Sequence, residues 1–292
     1  MGGDLVVPVP WQRLPLSGLQ GVVLVVGATN TGKSTFARYL YGHLQERGRR
    51  VAYLDGDPGQ SVLGPPATIT LGLGAPGETT FPPAQRQWQW FIGAVSPRGH
   101  MLPLLAGASR LVTAARAAGA GLILYDTSGL VAPAYGGTAL KQALVDLLQP
   151  AAIFAIQEAQ ELETSLLPWR RSPALRLFEL LPAPAVRARD TTARQAYRAQ
   201  QFARYFCDGR PLTLDWSRVA IFPRPTFRRH QLVALRGHDG FTLGLGIVVA
   251  HEPARRQLTV LTPLSSLETA SALHLGDCEV SPETFRDRPL ER

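Results

Sequence analysis

Lysine is almost missing from this chain. Among its 292 residues Lys33 and Lys141 are the only lysines, and every other basic side chain apart from histidine is arginine. Cysteine is equally scarce. Cys207 and Cys278 lie far apart in sequence, which argues against both a disulfide framework and a cysteine-rich metal site. No apolar run approaches the roughly 20 residues that span a bilayer, and mean hydropathy is close to zero. Residues 1–16 have no basic start followed by an apolar stretch, so no secretory leader is expected. These absences predict a soluble cytoplasmic protein without a membrane partner. Internal repeats and low-complexity tracts are also lacking.

What is present begins with charge. The formal net charge is +8 and the sequence pI is about 10.1, a balance that favours polyanionic partners because arginines that neutralise phosphates release counterions. Abundant Ala, Leu, Pro and Gly beside arginine are what a GC-rich coding bias produces. Under such a bias a surviving lysine asks for an explanation. The chain is 45% hydrophobic, enough for one large domain and a smaller one.

Along the chain, strands are expected at residues 21–26, 50–54, 121–125 and 151–156. Helices are expected at 34–44, 104–117 and 138–148, with Ser96-Pro97 read as a helix start. Alternation of this kind predicts an α/β fold, a parallel sheet flanked by helices. Residues 75–83 read as loop. After Pro182 comes an arginine-rich helical segment, and beyond Gly209 short strand-like runs at 219–222, 231–235, 241–249 and 257–261 predict a small β-rich domain. The expected division is a P-loop domain over residues 1–208, with the arginine-rich segment at about 183–206, and a β-rich domain over 209–292.

Gly27-Ala28-Thr29-Asn30-Thr31-Gly32-Lys33-Ser34 fits G-x-x-x-x-G-K-[ST] at every fixed position, after an apolar strand and before a helix. The glycines let backbone N–H groups turn inward around phosphates, and the helix N-terminus adds partial positive charge. Lys33 is placed to reach the β- and γ-phosphates and the Ser34 hydroxyl to ligate Mg²⁺. Residues 27–34 with Thr35 are therefore the expected contact set for ATP, and this is a P-loop NTPase pattern.

Acidic partners follow. Asp55 and Asp57 are two apart at a strand end, where ligands of doubly wound sheets sit. They could hold the waters of Mg²⁺ and take a proton from an attacking hydroxyl. Asp126 ends the run 122–125 and matches the second acidic motif of P-loop NTPases, which makes it, with Ser34, the expected metal-ligating pair. Asp126-Thr127-Ser128-Gly129 also fits the D-x-x-G of GTPase switches, but no convincing N-K-x-D guanine motif accompanies it. His100, near the expected helix start, could touch a phosphate or serve structurally. Lys141 is expected on the solvent face of its helix, the alternative being that it faces acidic or nucleic-acid groups. Trp88 and Trp90 are expected in a core strand, the alternative being stacking platforms. Arg224, Arg228 and Arg229 are expected on a solvated surface, the alternative being a track for a nucleic-acid backbone.

Together GATNTGKST, LDGDPGQS, SPRGH, YDTSG and the later arginine segment resemble the polynucleotide 5′-hydroxyl kinases of mRNA 3′-end formation, tRNA splicing and ribosomal RNA processing, in their compact form without a large N-terminal domain. The family's D-x-D-x-G-Q motif is matched by Asp55, Asp57, Gly59 and Gln60, and the resemblance implies that Asp57 is the general base, with Asp55 beside it. Its T-x-G clasp is matched by Thr127 and Gly129. Its lid arginines, counted back from Tyr205-Phe206, fall at Arg189, Arg194 and Arg198; Arg194 and Arg198 share a helix face, with Arg187 about two turns earlier. Gln60, Thr127 and His100 are the implied substrate contacts. Leu130 stands where many members carry tryptophan after the clasp glycine. The implied activity is transfer of the γ-phosphate of ATP, with Mg²⁺, to the 5′-OH end of RNA or DNA. The alternative is an ATP-bound, catalytically silent scaffold in an RNA-processing complex. Protein partners are not indicated by any residue pattern.

Overall fold

The computed structural model describes residues 7–83, 85–183 and 189–290. In chain order the strands are β1 (Gly21–Gly27), β2 (Val51–Gly56), β3 (Thr68–Leu73), β4 (Arg86–Phe91), β5 (Leu122–Thr127), β6 (Ala152–Ile156), β7 (Arg176–Leu180), β8 (Arg210–Asp215), β9 (Ala220–Phe222), β10 (Gln231–Arg236), β11 (Thr242–Glu252), β12 (Gln257–Thr262), β13 (Ala272–Val280) and β14 (Asp287–Pro289). The α-helices are α1 (Val9–Gln12), α2 (Lys33–Gln45), α3 (Met101–Ala117), α4 (Gly137–Leu148), α5 (Glu163–Arg170) and α6 (Thr191–Tyr205). Two compact units emerge, one from the described residues of 1–56, 71–87 and 108–188, the other from those of 57–70, 88–107 and 189–292. None of the described helices is long and apolar enough to cross a membrane.

The first unit carries a parallel sheet in the order β2-β5-β1-β6-β7. Its strands read as continuous apolar runs because both faces are covered: Val22 to Val26 and Ile153 to Ile156 are all buried. Parallel strands that follow one another in sequence need crossovers, and α2 supplies the one from β1 over β5 to β2, α4 the one from β5 over β1 to β6. Phe36 of α2 packs between Trp11 and Phe154, with ring centroids 5.0 Å away on each side. Trp11 had no periodic neighbours to mark it, yet it is buried. Because β1 is flanked by β5 and β6, the loop leaving its carboxyl end lies where the strand order reverses, the position at which open α/β sheets bind ligands.

The second unit is mainly antiparallel. β14-β13-β10-β11-β12-β8 pair in that order, and β9 adds to β13 in parallel. Its core joins Leu232, Ala234, Leu245, Ile247 and Val280 to Phe91, Ala67 and the α6 residues Phe202 and Phe206. The boundary expected at 208/209 thus falls within this unit, since α6 is part of its core. Ser96-Pro97 does not open a helix. α3 begins at Met101, while Ser96 Oγ accepts from the Arg98 amide at 3.2 Å. Gly99, at φ 77°, separates that turn from the helix.

Candidate nucleotide site and its acidic strand ends

β1 ends at Gly27, and residues 28–32 form a loop braced by its own side chains. Thr31 Oγ1 donates to the Ala28 carbonyl at 3.0 Å and Lys33 Nζ to the same carbonyl at 2.6 Å. Gly32, the N-cap of α2, has φ 82° and ψ 16°, a left-handed conformation that glycine adopts without a Cβ penalty. The first turn of α2 therefore presents backbone N–H groups and the positive end of its dipole at the loop. That is a cradle for an anion.

Next to β1, Asp55 on β2 and Asp126 on β5 are register partners, only 2% and 1% exposed. Adjacent strands are about 4.8 Å apart, so two buried carboxylates stand side by side at neighbouring strand ends. Tyr53 Oη donates to Asp126 Oδ2 at 3.0 Å. Burial, and then the charges of Asp126 and Asp55, push this phenol well above its ordinary value, so it remains a donor and orients Asp126. Sequence reasoning missed Tyr53; its signal was an aromatic residue two before Asp55, on the same strand face.

Thr127 is buried and donates its hydroxyl to the Val25 carbonyl at 2.9 Å. Lys141 is not on a solvent face. It is 1% exposed and donates to Thr127 Oγ1 at 3.0 Å and to the Ser128 carbonyl at 2.6 Å. The buried stripe of α4 is Gly137, Leu140, Lys141, Leu144 and Leu148, so Lys141 belongs to it.

The second unit holds the other candidates. Asp57 Oδ1 accepts from the backbone amides of Gly59 at 2.9 Å and Gln60 at 3.2 Å, which fixes the carboxylate in a tight turn. Gln60 Nε2 donates to the Gly59 carbonyl at 2.6 Å. α6 is capped by Asp190, whose carboxylate accepts from the Ala193 amide at 2.7 Å. Tyr197 Oη then donates to the Ser61 carbonyl at 2.8 Å, tying the arginine helix to the segment that follows Asp57. Arg194 Nε donates to the Asp190 carbonyl at 3.2 Å, and the Arg189 guanidinium lies 5.2 Å above the Tyr197 ring. Arg187 lies outside the described residues. His100 Nε2 meets Asp277 of β13 at 3.1 Å and Nδ1 meets the Arg98 carbonyl at 3.2 Å. Trp90 is half-buried, donates Nε1 to the Pro103 carbonyl at 3.0 Å, and carries the Arg236 guanidinium 4.1 Å from its ring centroid.

Arg198 pairs with Asp287 at 2.8 Å, with side chains 16% and 4% exposed. Arg198→Ala strands a buried carboxylate, for which a loss of about 3–5 kcal/mol of unfolding free energy is expected. Denaturant unfolding measures it; a loss below about 1 kcal/mol would place the pair with exposed ion pairs instead.

Residues 27–35, Asp55, Asp126 and Thr127 thus share the first unit, and Asp57, Gln60, His100, Arg189, Arg194 and Arg198 the second. A parallel sheet with this loop at its switch point and acidic ends on β2 and β5 defines a P-loop protein of the nucleotide-using class. More narrowly, residues 27–208 match the family described as mRNA cleavage and polyadenylation factor CLP1 P-loop, and the chain belongs to that family. Among similar proteins, a polyribonucleotide 5′-hydroxyl-kinase of Methanocaldococcus jannaschii is 25% identical over 72% of this chain, a stretch that spans 57% of that protein. One from Pyrococcus furiosus is 22% identical, covering 88% of this chain and 87% of its own length. In fold, the chain is similar to wild-type Clp1p solved in complex with Pcf11p, with a TM-score of 0.67 and 16% identity over 92% of this chain and 77% of that one.

Proposed function

We propose that the chain is an ATP-dependent polynucleotide 5′-hydroxyl kinase that transfers the γ-phosphate to the 5′-OH end of RNA or DNA and acts in the cytoplasm. The observation that carries this reading is the set of buried carboxylates, Asp55 and Asp126, in register beside the phosphate loop. Two like charges taken out of water side by side call for a cation. The Ser34 hydroxyl and the Asp126 carboxylate are a hard-oxygen donor set that fits Mg²⁺. The similar proteins named as 5′-hydroxyl-kinases support the choice of acceptor.

In this mechanism the loop amides and Lys33 hold the ATP phosphates. Tyr53 keeps Asp126 aimed, and Asp55 lies beside it. When bound, Mg²⁺ neutralises charge on the β- and γ-phosphates. Asp57 accepts the proton of the 5′-hydroxyl as its oxygen attacks the γ-phosphorus. The bond to the β,γ-bridging oxygen breaks, and ADP leaves. Arg194, flanked by Arg189 and Arg198, stabilises charge on the transferring group. Gln60 and His100 contact the acceptor end, while Thr127, expected to join them, is buried with its hydroxyl engaged by Val25 and Lys141.

Purified protein with γ-labelled ATP is expected to label 5′-OH oligonucleotides of at least one sugar and to leave 5′-phosphorylated ones unlabelled. Tight ATP binding without labelling of either RNA or DNA, across metals and temperatures, would overturn the kinase reading in favour of an ATP-bound scaffold.

A further inference from the structure

Neither the phosphate cradle nor the acidic strand ends account for Lys141. The other buried positions named on α4, Gly137, Leu140, Leu144 and Leu148, are apolar, and a buried ammonium persists only where hydrogen bonds and surroundings offset its desolvation. Here the side chain reaches the end of β5. Its Nζ donates to Thr127 Oγ1 at 3.0 Å and to the Ser128 carbonyl at 2.6 Å. Thr127 passes its own hydroxyl hydrogen to the Val25 carbonyl at 2.9 Å, two residues before β1 gives way to the phosphate loop. The chain of donors therefore runs from α4 through β5 to β1.

The turn that Lys141 grips continues directly into the loop. A Cβ built on Gly129 would lie 2.4 Å from Thr29 Oγ1 and 2.9 Å from both the Thr29 amide nitrogen and Cα. Only a hydrogen permits that approach, so residue 129 is packed on the backbone of the phosphate cradle. A shift of the 127–129 turn is transmitted to Thr29 by contact.

We propose that Lys141 is a positioning residue of the nucleotide site: its ammonium locks the 127–129 turn against Thr29 and so sets the shape of the phosphate loop. It acts through the turn and does not touch the nucleotide. The proposal rests on the reading of residues 27–35 as a nucleotide cradle. It also explains why the second lysine of the chain falls here: arginine, with a planar fork in place of a compact ammonium, fits this two-acceptor corner less well.

The test uses the whole chain and a fluorescent ADP analogue, comparing the parent with Lys141→Met, Lys141→Arg, Thr127→Val and the Lys141→Met/Thr127→Val pair. Methionine fills the buried volume but cannot donate. Its Kd is expected to rise about tenfold, in keeping with the sensitivity of preorganised sites to sub-ångström displacement. Arginine should restore part of the loss. Thr127→Val should raise Kd in the same direction and add little on top of Lys141→Met, because both cut one connection. A merely structural lysine would instead lower Tm while the folded protein kept its Kd. Folded Lys141→Met with Kd within about twofold of the parent, or fully additive effects in the pair, would overturn the proposal. Should Lys141→Met fail to fold, Thr127→Val decides alone, and an unchanged Kd overturns it. A parent that binds the analogue but phosphorylates no 5′-OH end counts against the kinase reading only; a parent that binds no nucleotide overturns both.

Discussion

Asp57→Asn is expected to cut phosphoryl transfer by roughly 10²–10⁴-fold, the usual contribution of a general base, while nucleotide Kd stays near that of the parent. The substitution is a clean one here. The Asp57 carboxylate is held through Oδ1 by the amides of Gly59 and Gln60, and an asparagine Oδ1 accepts the same two hydrogen bonds. The turn is therefore retained, and what disappears is the group that can take a proton. Asp55 provides the contrast. It is buried in register with Asp126, so Asp55→Asn removes charge from the strand ends proposed to face the cation and should weaken nucleotide binding together with turnover. Single-turnover transfer and nucleotide titration on both variants separate the two roles. Transfer by Asp57→Asn within about threefold of the parent, far from the loss a base implies, moves the base to another carboxylate.

How much of this could be read beforehand depends on how local the cause is. The phosphate loop was legible because its requirements are written in neighbouring residues: an apolar β1, a left-handed Gly32, a lysine and a hydroxyl at the start of α2. Asp55 and Asp126 were legible because acidic residues closing buried runs mark strand ends. The arginine helix announced itself by composition, whereas its start at Asp190 came only from the structure. Lys141 was misread because its charge points to solvent although its spacing puts it on the apolar stripe of α4; the acceptor that holds it lies 14 residues earlier in sequence. Periodicity sets Lys141 on the buried face of α4 with Leu144 and Leu148, and the acceptors at the end of β5 are what allow an ammonium to stay there. The second unit was hidden for a similar reason. It is assembled from residues 57–70, 88–107 and 189–292, and only tertiary packing of Ala67 and Phe91 with Phe202, Phe206 and the β10 and β11 residues brings them into one core. β4 declared itself by the alternation of Gln87-Trp88-Gln89-Trp90, but the tryptophans are half-buried rather than core. Ser96-Pro97 misled because the same dipeptide opens turns as readily as helices, and Gly99 then fixes the turn.

Arg194→Ala should lower turnover by about 10³-fold, the scale of an arginine that meets the transferring phosphoryl group, with little change in nucleotide Kd. Asp190 caps α6, Tyr197 donates to the Ser61 carbonyl, and Arg198 is committed to Asp287. The cap fixes the start of the helix, Tyr197 ties it to the segment that follows Asp57, and Arg198 ties it to β14. Arg194 lies one turn before Arg198 on the same face, and its hydrogen bond is a local one to the Asp190 carbonyl at 3.2 Å. Removing it therefore costs the fold little, unlike Arg198→Ala, so its effect is legible in the chemistry. An interaction made only in the transition state lowers kcat without weakening ground-state binding. Arg194→Lys should rescue poorly, because a point charge does not reproduce the planar fork that grips two phosphate oxygens. The measurement is paired: nucleotide Kd and single-turnover rate on the same preparation, with Tm confirming an intact fold. A Kd that rises while the rate holds would make Arg194 an anchor for ATP and remove it from the reacting state.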